Sequence, residues 1–237
     1  MKKPDLTNLS VLYDKKIECS ACKTLFTSKK VRSRFVKPQA VDSDFGPIYA
    51  PGDEGNPLLY FVAVCPECGF SFTEDFSKPL SSSVRQIIVN ELSNKLDRSV
   101  DFCGPRDFST AVRTYKLAIY SGELVREKHI TFAKLCLRLA WLQRNKGDRE
   151  EEKRFLQLAA TEFEQSYIHS DFNPEKVPEI FILYMIGELN RRLGNYDIAL
   201  RYYDAVVNHR DRSRYTRYIK MAREQWKIAV DEHRARK

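Results

Sequence analysis

Two Cys-x-x-Cys pairs constrain this chain more than any other feature: Cys19-Ser-Ala-Cys22 and Cys65-Pro-Glu-Cys68, with 42 residues between them. A tight Cys-x-x-Cys turn presents two thiolates from one short loop, and two such turns complete the tetrahedron of soft ligands that zinc prefers. Pro66 sets the second turn, and Gly69 can take the left-handed conformation after its last ligand. Lys23 stands at that place in the first turn. A redox dithiol would call for a thioredoxin-like βαβ pattern beside the motif, and none is visible. Four thiolates also close the coordination shell, so a structural ion is expected rather than a catalytic one. Zn2+ is the expected cofactor, held by Cys19, Cys22, Cys65 and Cys68; iron is the other ion such a set takes.

At 237 residues, 43% of them hydrophobic, the chain has room for one large domain or two small ones. No apolar run approaches the roughly 20 residues of a membrane helix. The opening stretch MKKPDLTNLSVLYDKK has no continuous apolar core, so a secretion signal is not expected. Cys-x-x-Cys spacing without such a signal favours a reducing, cytoplasmic setting. The net charge of +8 is unevenly spread: residues 1–40 carry 10 Lys/Arg against 3 acids, and residues 210–237 carry 10 against 4. Two basic ends are either solvated faces or a contact for an anionic partner such as nucleic acid.

Residues 1–79 read as a small β-containing, zinc-ribbon-like domain. Ile17, Leu25 and Phe26 flank the first turn, and Val31 to Val36 alternates at strand period. Lys30, Arg32 and Arg34 would share a strand face there, either as an anion contact or paired with Asp42 and Asp44. Residues 38–59 read as an acidic loop broken by proline and glycine. Leu58 to Val64 reads as a buried strand delivering Cys65, with Phe70, Phe72 and Phe76 as its small core. So little core leaves the metal to supply much of the folding free energy.

From Ser81 onward only helical periodicity appears, so residues 80–237 read as a second, α-helical domain. A first helix starts near residue 82 with Ser81 to Ser83 as caps, and residues 101–106 break it from a second, capped at Asp107 or Ser109. Leu139-Ala140 with Gly147-Asp148 recurs 47 residues on as Ile186-Gly187 with Gly194-Asn195. Each unit is a helix, a glycine turn and a second helix; Ala111, Tyr115 and Ala118 fit the second half of an earlier one. The pattern resembles the tetratricopeptide repeat, with Leu183 to Val206 the better unit. Glu152 stands where a small residue is usual, and the long period implies an insertion around Tyr167–Pro178. A last amphipathic helix near 214–233 would cap the stack. The fold class expected is mostly α, a zinc-ribbon-like domain followed by a tetratricopeptide-like repeat.

Cys103 and Cys136 have no partner spacing and read as buried thiols. The four histidines are scattered, and no phosphate loop, nucleophile elbow or metalloprotease motif occurs, so no enzyme is expected. In a tetratricopeptide register Lys134, Leu137, Trp141 and Arg144 would face a groove beside Phe181, Tyr184, Glu188, Arg191 and Arg192. Exposed aromatics and arginines are what peptide recognition uses, so an acidic or C-terminal peptide of a partner protein is the expected ligand; alternatively Trp141 and Tyr184 are core.

Taken in order, the paired Cys-x-x-Cys, K-K-V-R-S-R, V-C-P-E-C-G-F, A-W-L-x-R and G-E-L-x-R-R-L-G-N-Y look like the bacterial domain-of-unknown-function family numbered 2225. The resemblance spans nearly the whole chain. It implies a metal-knuckle region joined to tetratricopeptide-like helices in a bacterial cytoplasmic protein, and it carries no activity. The function expected is a protein–protein interaction or scaffold module; the alternative is a nucleic-acid-associated zinc-ribbon protein.

Overall fold

The structure is a computed structural model describing residues 9–77 and 79–236. Lys2 and Lys3 of the basic N-terminal stretch, and Lys237, lie outside the described residues. The chain packs as two compact units, one of residues 9–39 and 49–126, the other of residues 40–48 and 127–236.

In the first unit, β1 (Leu12–Glu18) pairs antiparallel with β2 (Leu25–Val31), from Leu12 opposite Val31 to Glu18 opposite Leu25. The first cysteine turn closes this hairpin, and Lys23 takes its left-handed position at φ 68°. The strand expected to run to Val36 ends at Val31, because Ser33–Phe35 forms a 3-10 turn.

The second unit contributes a small hairpin next in sequence, β3 (Ala40–Val41) with β4 (Pro47–Ile48). The chain then returns to the first unit. Leu58–Val64 is not the continuous buried strand its apolar run suggested. Pro57–Tyr60 is a 3-10 helix, started by proline and capped by Asn56, whose side chain accepts from the Leu58 amide at 3.0 Å. Only β5 (Ala63–Val64) is extended, pairing with β6 (Ser71–Phe72) to carry the second cysteine turn.

Backbone that leaves a ladder must find other partners when buried. Here the carbonyl of Leu58 accepts from the Tyr115 hydroxyl at 2.9 Å, and those of Leu59 and Val62 accept from Arg106 at 3.2 and 2.8 Å. The carbonyls of Tyr60 and Phe61 accept from Lys30 at 2.5 and 3.1 Å. A buried arginine, a half-buried lysine and a tyrosine thus replace the missing strand.

Helices α1 (Ser82–Leu92) and α2 (Phe108–Val125) begin at the expected caps, Ser81 and Asp107. Both pack in the first unit, α2 against β5, β6 and α1. The division after residue 79 therefore marks a change of secondary structure, not of unit. Ala111, Tyr115 and Ala118, placed by sequence in an early repeat, are fully buried in this unit's core with Phe70, Ile88 and Val62.

The second unit holds α3 (His129–Lys146), α4 (Arg149–His169), α5 (Glu179–Leu193), α6 (Tyr196–Val207) and α7 (Thr216–Ala235). Neighbours pack in sequence, α3 on α4, α4 on α5, α5 on α6, α6 on α7. The turns after α3 and α5 are alike. Gly147 (φ 83°) and Gly194 (φ 80°) are left-handed, and their amides bond back to Arg144 and Arg191. The following amides, of Asp148 and Asn195, reach Gln143 and Asn190. This is the double bond pattern of a Schellman stop, at matching positions 47 residues apart. Gly187 leaves room for the Tyr203 ring, which would lie 3.0 Å from any Cβ there. Glu152, the apparent misfit, accepts from Arg144 at 2.6 Å.

Candidate metal centre and an occupied groove

The two cysteine turns meet. The sulfurs of Cys19, Cys22, Cys65 and Cys68 all lie within 4.8 Å of one another, with Cys19 to Cys68 at 3.7 Å and Cys22 to Cys65 at 3.6 Å. These distances exclude disulfides, whose sulfurs stand about 2.05 Å apart. A regular tetrahedron with metal–sulfur bonds of about 2.3 Å has edges of about 3.8 Å. Two of the six sulfur separations match that edge, and the set as a whole could hold a metal ion.

Local sequence explains the placement. In each turn an amide bonds back to the first cysteine's carbonyl, Lys23 to Cys19 and Gly69 to Cys65, both at 2.9 Å. Gly69 is left-handed and close-packed; a Cβ there would lie 3.3 Å from the Leu92 carbonyl of α1. Cys19, Cys65 and Cys68 are buried and Cys22 half-buried. Bonding with Cys65 pushes Cys19 up to about 12, while Cys65 is drawn down to about 2, first by Cys19 and Cys68 and then by the amides of Cys68 and Glu67. Cys68 moves upward, chiefly through Cys19. Amide dipoles thus point at a sulfur where a metal-bound thiolate would sit.

The second site lies wholly within the second unit. The chain's own segment 40–48 occupies the face of α3 and α5 that the sequence assigned to a partner. Asp44, fully buried, accepts from Arg144 Nη1 and Nη2 at 3.0 and 2.6 Å and from Trp141 Nε1 at 3.1 Å. Asp42 pairs with Arg144 and Arg192, each at 3.1 Å. The Ser43 carbonyl accepts from the Tyr184 hydroxyl at 2.7 Å, and its own hydroxyl donates to Glu188 at 2.6 Å. Phe45 sits 5.7 Å from the Phe181 ring and 5.8 Å from that of Tyr184, with Arg217 over its face at 5.4 Å. Asn145 donates to the Pro47 carbonyl at 3.0 Å.

This corrects the expectation of an open surface. Trp141 is 8% exposed, and Tyr184 and Glu188 are fully buried. Leu137 belongs to the core, and Lys134 is half-buried on the same helix. Arg191 turns to Glu188 at 2.9 Å and Glu232 at 3.0 Å.

A family model described as an uncharacterized protein conserved in bacteria, DUF2225, matches residues 12–229. The chain belongs to this family. The match includes all four cysteines and both halves of the occupied face. No curated protein and no solved structure matches the chain.

In this family member the three cations read as an anion contact each have a partner within the chain. Lys30 is spent on carbonyls, and burial, then repulsion from Lys15 and Arg106, lowers it to about 8. Arg32 donates to the Ser10 carbonyl at 3.1 Å and lies over Tyr13. Arg34 lies over Phe35. Asp42 and Asp44 are met within the second unit by Arg144 and Arg192. Sequence reasoning marked that loop as acidic, with Asp42 and Asp44 as partners for the cations just before it. Its readable signal was the order Asp-x-Asp-Phe-Gly-Pro: two charges, one aromatic and one residue without a side chain. Cys136 is buried, which pushes its thiol up to about 12; Cys103 donates to the Val64 carbonyl at 3.6 Å. Among the described residues no helix is long and apolar enough to cross a membrane.

Proposed function

We propose that this chain is a protein–protein interaction module of the bacterial cytoplasm, without catalytic activity, in which a structural Zn2+ closes the first unit and tetratricopeptide-like helices of the second hold a partner. The ion would be held by Cys19, Cys22, Cys65 and Cys68 and would act as a cross-link between two turns with little core of their own. The recurring helix–glycine–helix units support the repeat reading. One observation carries the function: the Arg144, Arg192, Trp141 and Tyr184 face already grips an acidic, aromatic segment through side chains and backbone together. Such a face is chemically a peptide-recognition surface.

Affinity capture from bacterial lysate, with and without nuclease, tests the reading. A discrete protein retained after nuclease is expected. Capture that disappears with nuclease would overturn it. That outcome would favour the second reading, a nucleic-acid contact, supported by Arg212, Lys220, Arg223 and Lys227 lining one shallow groove along α7. Phosphate binding there would weaken steeply as salt rises.

A further inference from the structure

We propose that residues 40–48 are a displaceable resident ligand, and that the partner binds the same face with an acidic turn of like chemistry: two carboxylates flanking one residue, then an aromatic and a glycine. This rests on the interaction reading above and names the partner's side of it.

The site recognises a peptide in three ways at once. Tyr184 and Asn145 catch backbone carbonyls, of Ser43 and Pro47, which any sequence offers. Arg144 reads the Asp44 carboxylate with a two-pronged fork, while Arg192 reaches Asp42. Gly46 is read by shape: a Cβ there would lie 2.7 Å from Arg144 Nη1 and from the Trp141 ring. Phe45 fills an aromatic pocket of Phe181, Tyr184 and Tyr218.

Three observations make the occupant exchangeable. The arginines that meet or flank the segment's carboxylates each keep a helix carboxylate: Glu152 for Arg144 at 2.6 Å, Glu188 for Arg192 at 2.7 Å, Glu232 for Arg191 at 3.0 Å. The segment can leave without stranding a buried cation, the usual cost of breaking such a contact. The segment's own ladder is only two residue pairs long, too short to persist by itself. Phe45 is held at φ 64°, a conformation unfavourable for a bulky residue, so the bound segment carries strain that an incoming turn need not share.

A resident ligand lowers apparent affinity for an added one by the fraction of time the face is open. The test uses a fluorescent peptide with the sequence of residues 40–48 and the full chain carrying Asp42→Ala and Asp44→Ala. That chain is expected to bind the peptide at least about tenfold tighter than the unaltered one, reflecting a face freed of its resident segment. Adding Arg144→Ala, or replacing both aspartates in the peptide, should abolish binding. A variant with native helix content that takes up no peptide overturns the proposal, leaving the segment a fixed staple.

Hydrogen exchange of the unaltered chain keeps the test decisive if the variant does not fold. Excess peptide should speed exchange at the Phe45 and Gly46 amides, which now bond to the Asp42 carbonyl and the Asp44 side chain. Unchanged rates overturn the proposal. So does a dimer of the unaltered chain that Asp44→Ala dissociates, since the occupant would then be a second copy. Peptide failure with lysate capture intact would sink this inference alone; loss of capture with peptide binding intact would sink the broader reading and with it the partner, leaving only a displaceable segment.

Discussion

Arg144 holds Asp44 with two guanidinium nitrogens, at 3.0 and 2.6 Å, across 100 residues of sequence. Asp44 is fully buried while Arg144 keeps only 15% of its side-chain surface exposed, so the pair lies almost out of water. An ion pair of this kind tells less about net stability than about what happens when one partner is removed. Arg144→Ala leaves Asp44 with the Trp141 indole, the Gly46 amide and Arg192 at 3.7 Å, and the expected cost is about 3 kcal/mol, at the lower end for a broken buried pair. Arg144→Lys should recover only part of it, because an ammonium cannot form the fork. Chemical denaturation would measure both. Equal stability of the alanine variant and the original would contradict the account.

Acid should loosen the same contact. Burial alone would raise the Asp44 carboxyl, but the Arg144 hydrogen bonds, with the charges of Arg192 and Arg144, hold it below its ordinary value. Glu188 is likewise lowered, against burial, by Arg191 and Arg192. A carboxyl with a depressed folded-state pKa adds stability that is complete above its unfolded value of about 4 and fades as pH falls through the folded one. Melting temperature should therefore drop steeply below about pH 4. Asp44→Asn should lower the plateau and flatten the fall. An unchanged acid limb in that variant would exclude Asp44 as a source.

Much of the helical structure in both units was legible because its determinants are local. Caps at Ser81 and Asp107 and left-handed glycines at 147 and 194 mark helix ends by short-range chemistry, and the 47-residue recurrence is visible by inspection. The four cysteines were legible for a similar reason, since spacing within each turn fixes the ligand geometry. Two things were hidden by distance. The run Leu58 to Val64 is apolar because it is buried, and periodicity cannot distinguish a strand from a 3-10 turn whose carbonyls are met by Lys30 and Arg106. The partner of Asp44 lies a hundred residues away, so the face of α3 and α5 looked open when its occupant was upstream in the same chain.

Gly46 offers a steric check on that occupancy. A methyl group there would press on Trp141 and Arg144, both already packed. Gly46→Ala is expected to cost about 1–3 kcal/mol, the range for overpacking. It should also raise the solvent exposure of Trp141, read as a red shift of tryptophan fluorescence. Trp226 is the chain's other indole, so the comparison is made in a Trp226→Phe background. An unshifted spectrum would mean that segment 40–48 does not cover Trp141 in solution.

The metal prediction separates the two units. Elemental analysis of freshly reduced protein should find about one zinc ion per chain, the stoichiometry of one closed four-thiolate site. Cys65→Ser removes a buried ligand and should abolish that ion. Because α1 and α2 pack in the first unit, their 11 and 18 helical residues should melt with it, whereas α3 to α7 should persist. The circular dichroism spectrum would then lose a minor part of its helical signal in a first, chelator-sensitive transition and the remainder in a second. The reason is energetic: the hairpins that carry the cysteine turns bury little apolar surface themselves, so the ion's cross-link adds a substantial share of the unit's folding free energy to that of the core under α1 and α2. A single transition, unmoved by a strong chelator and shared by Cys65→Ser, would show that the first unit folds on its core alone.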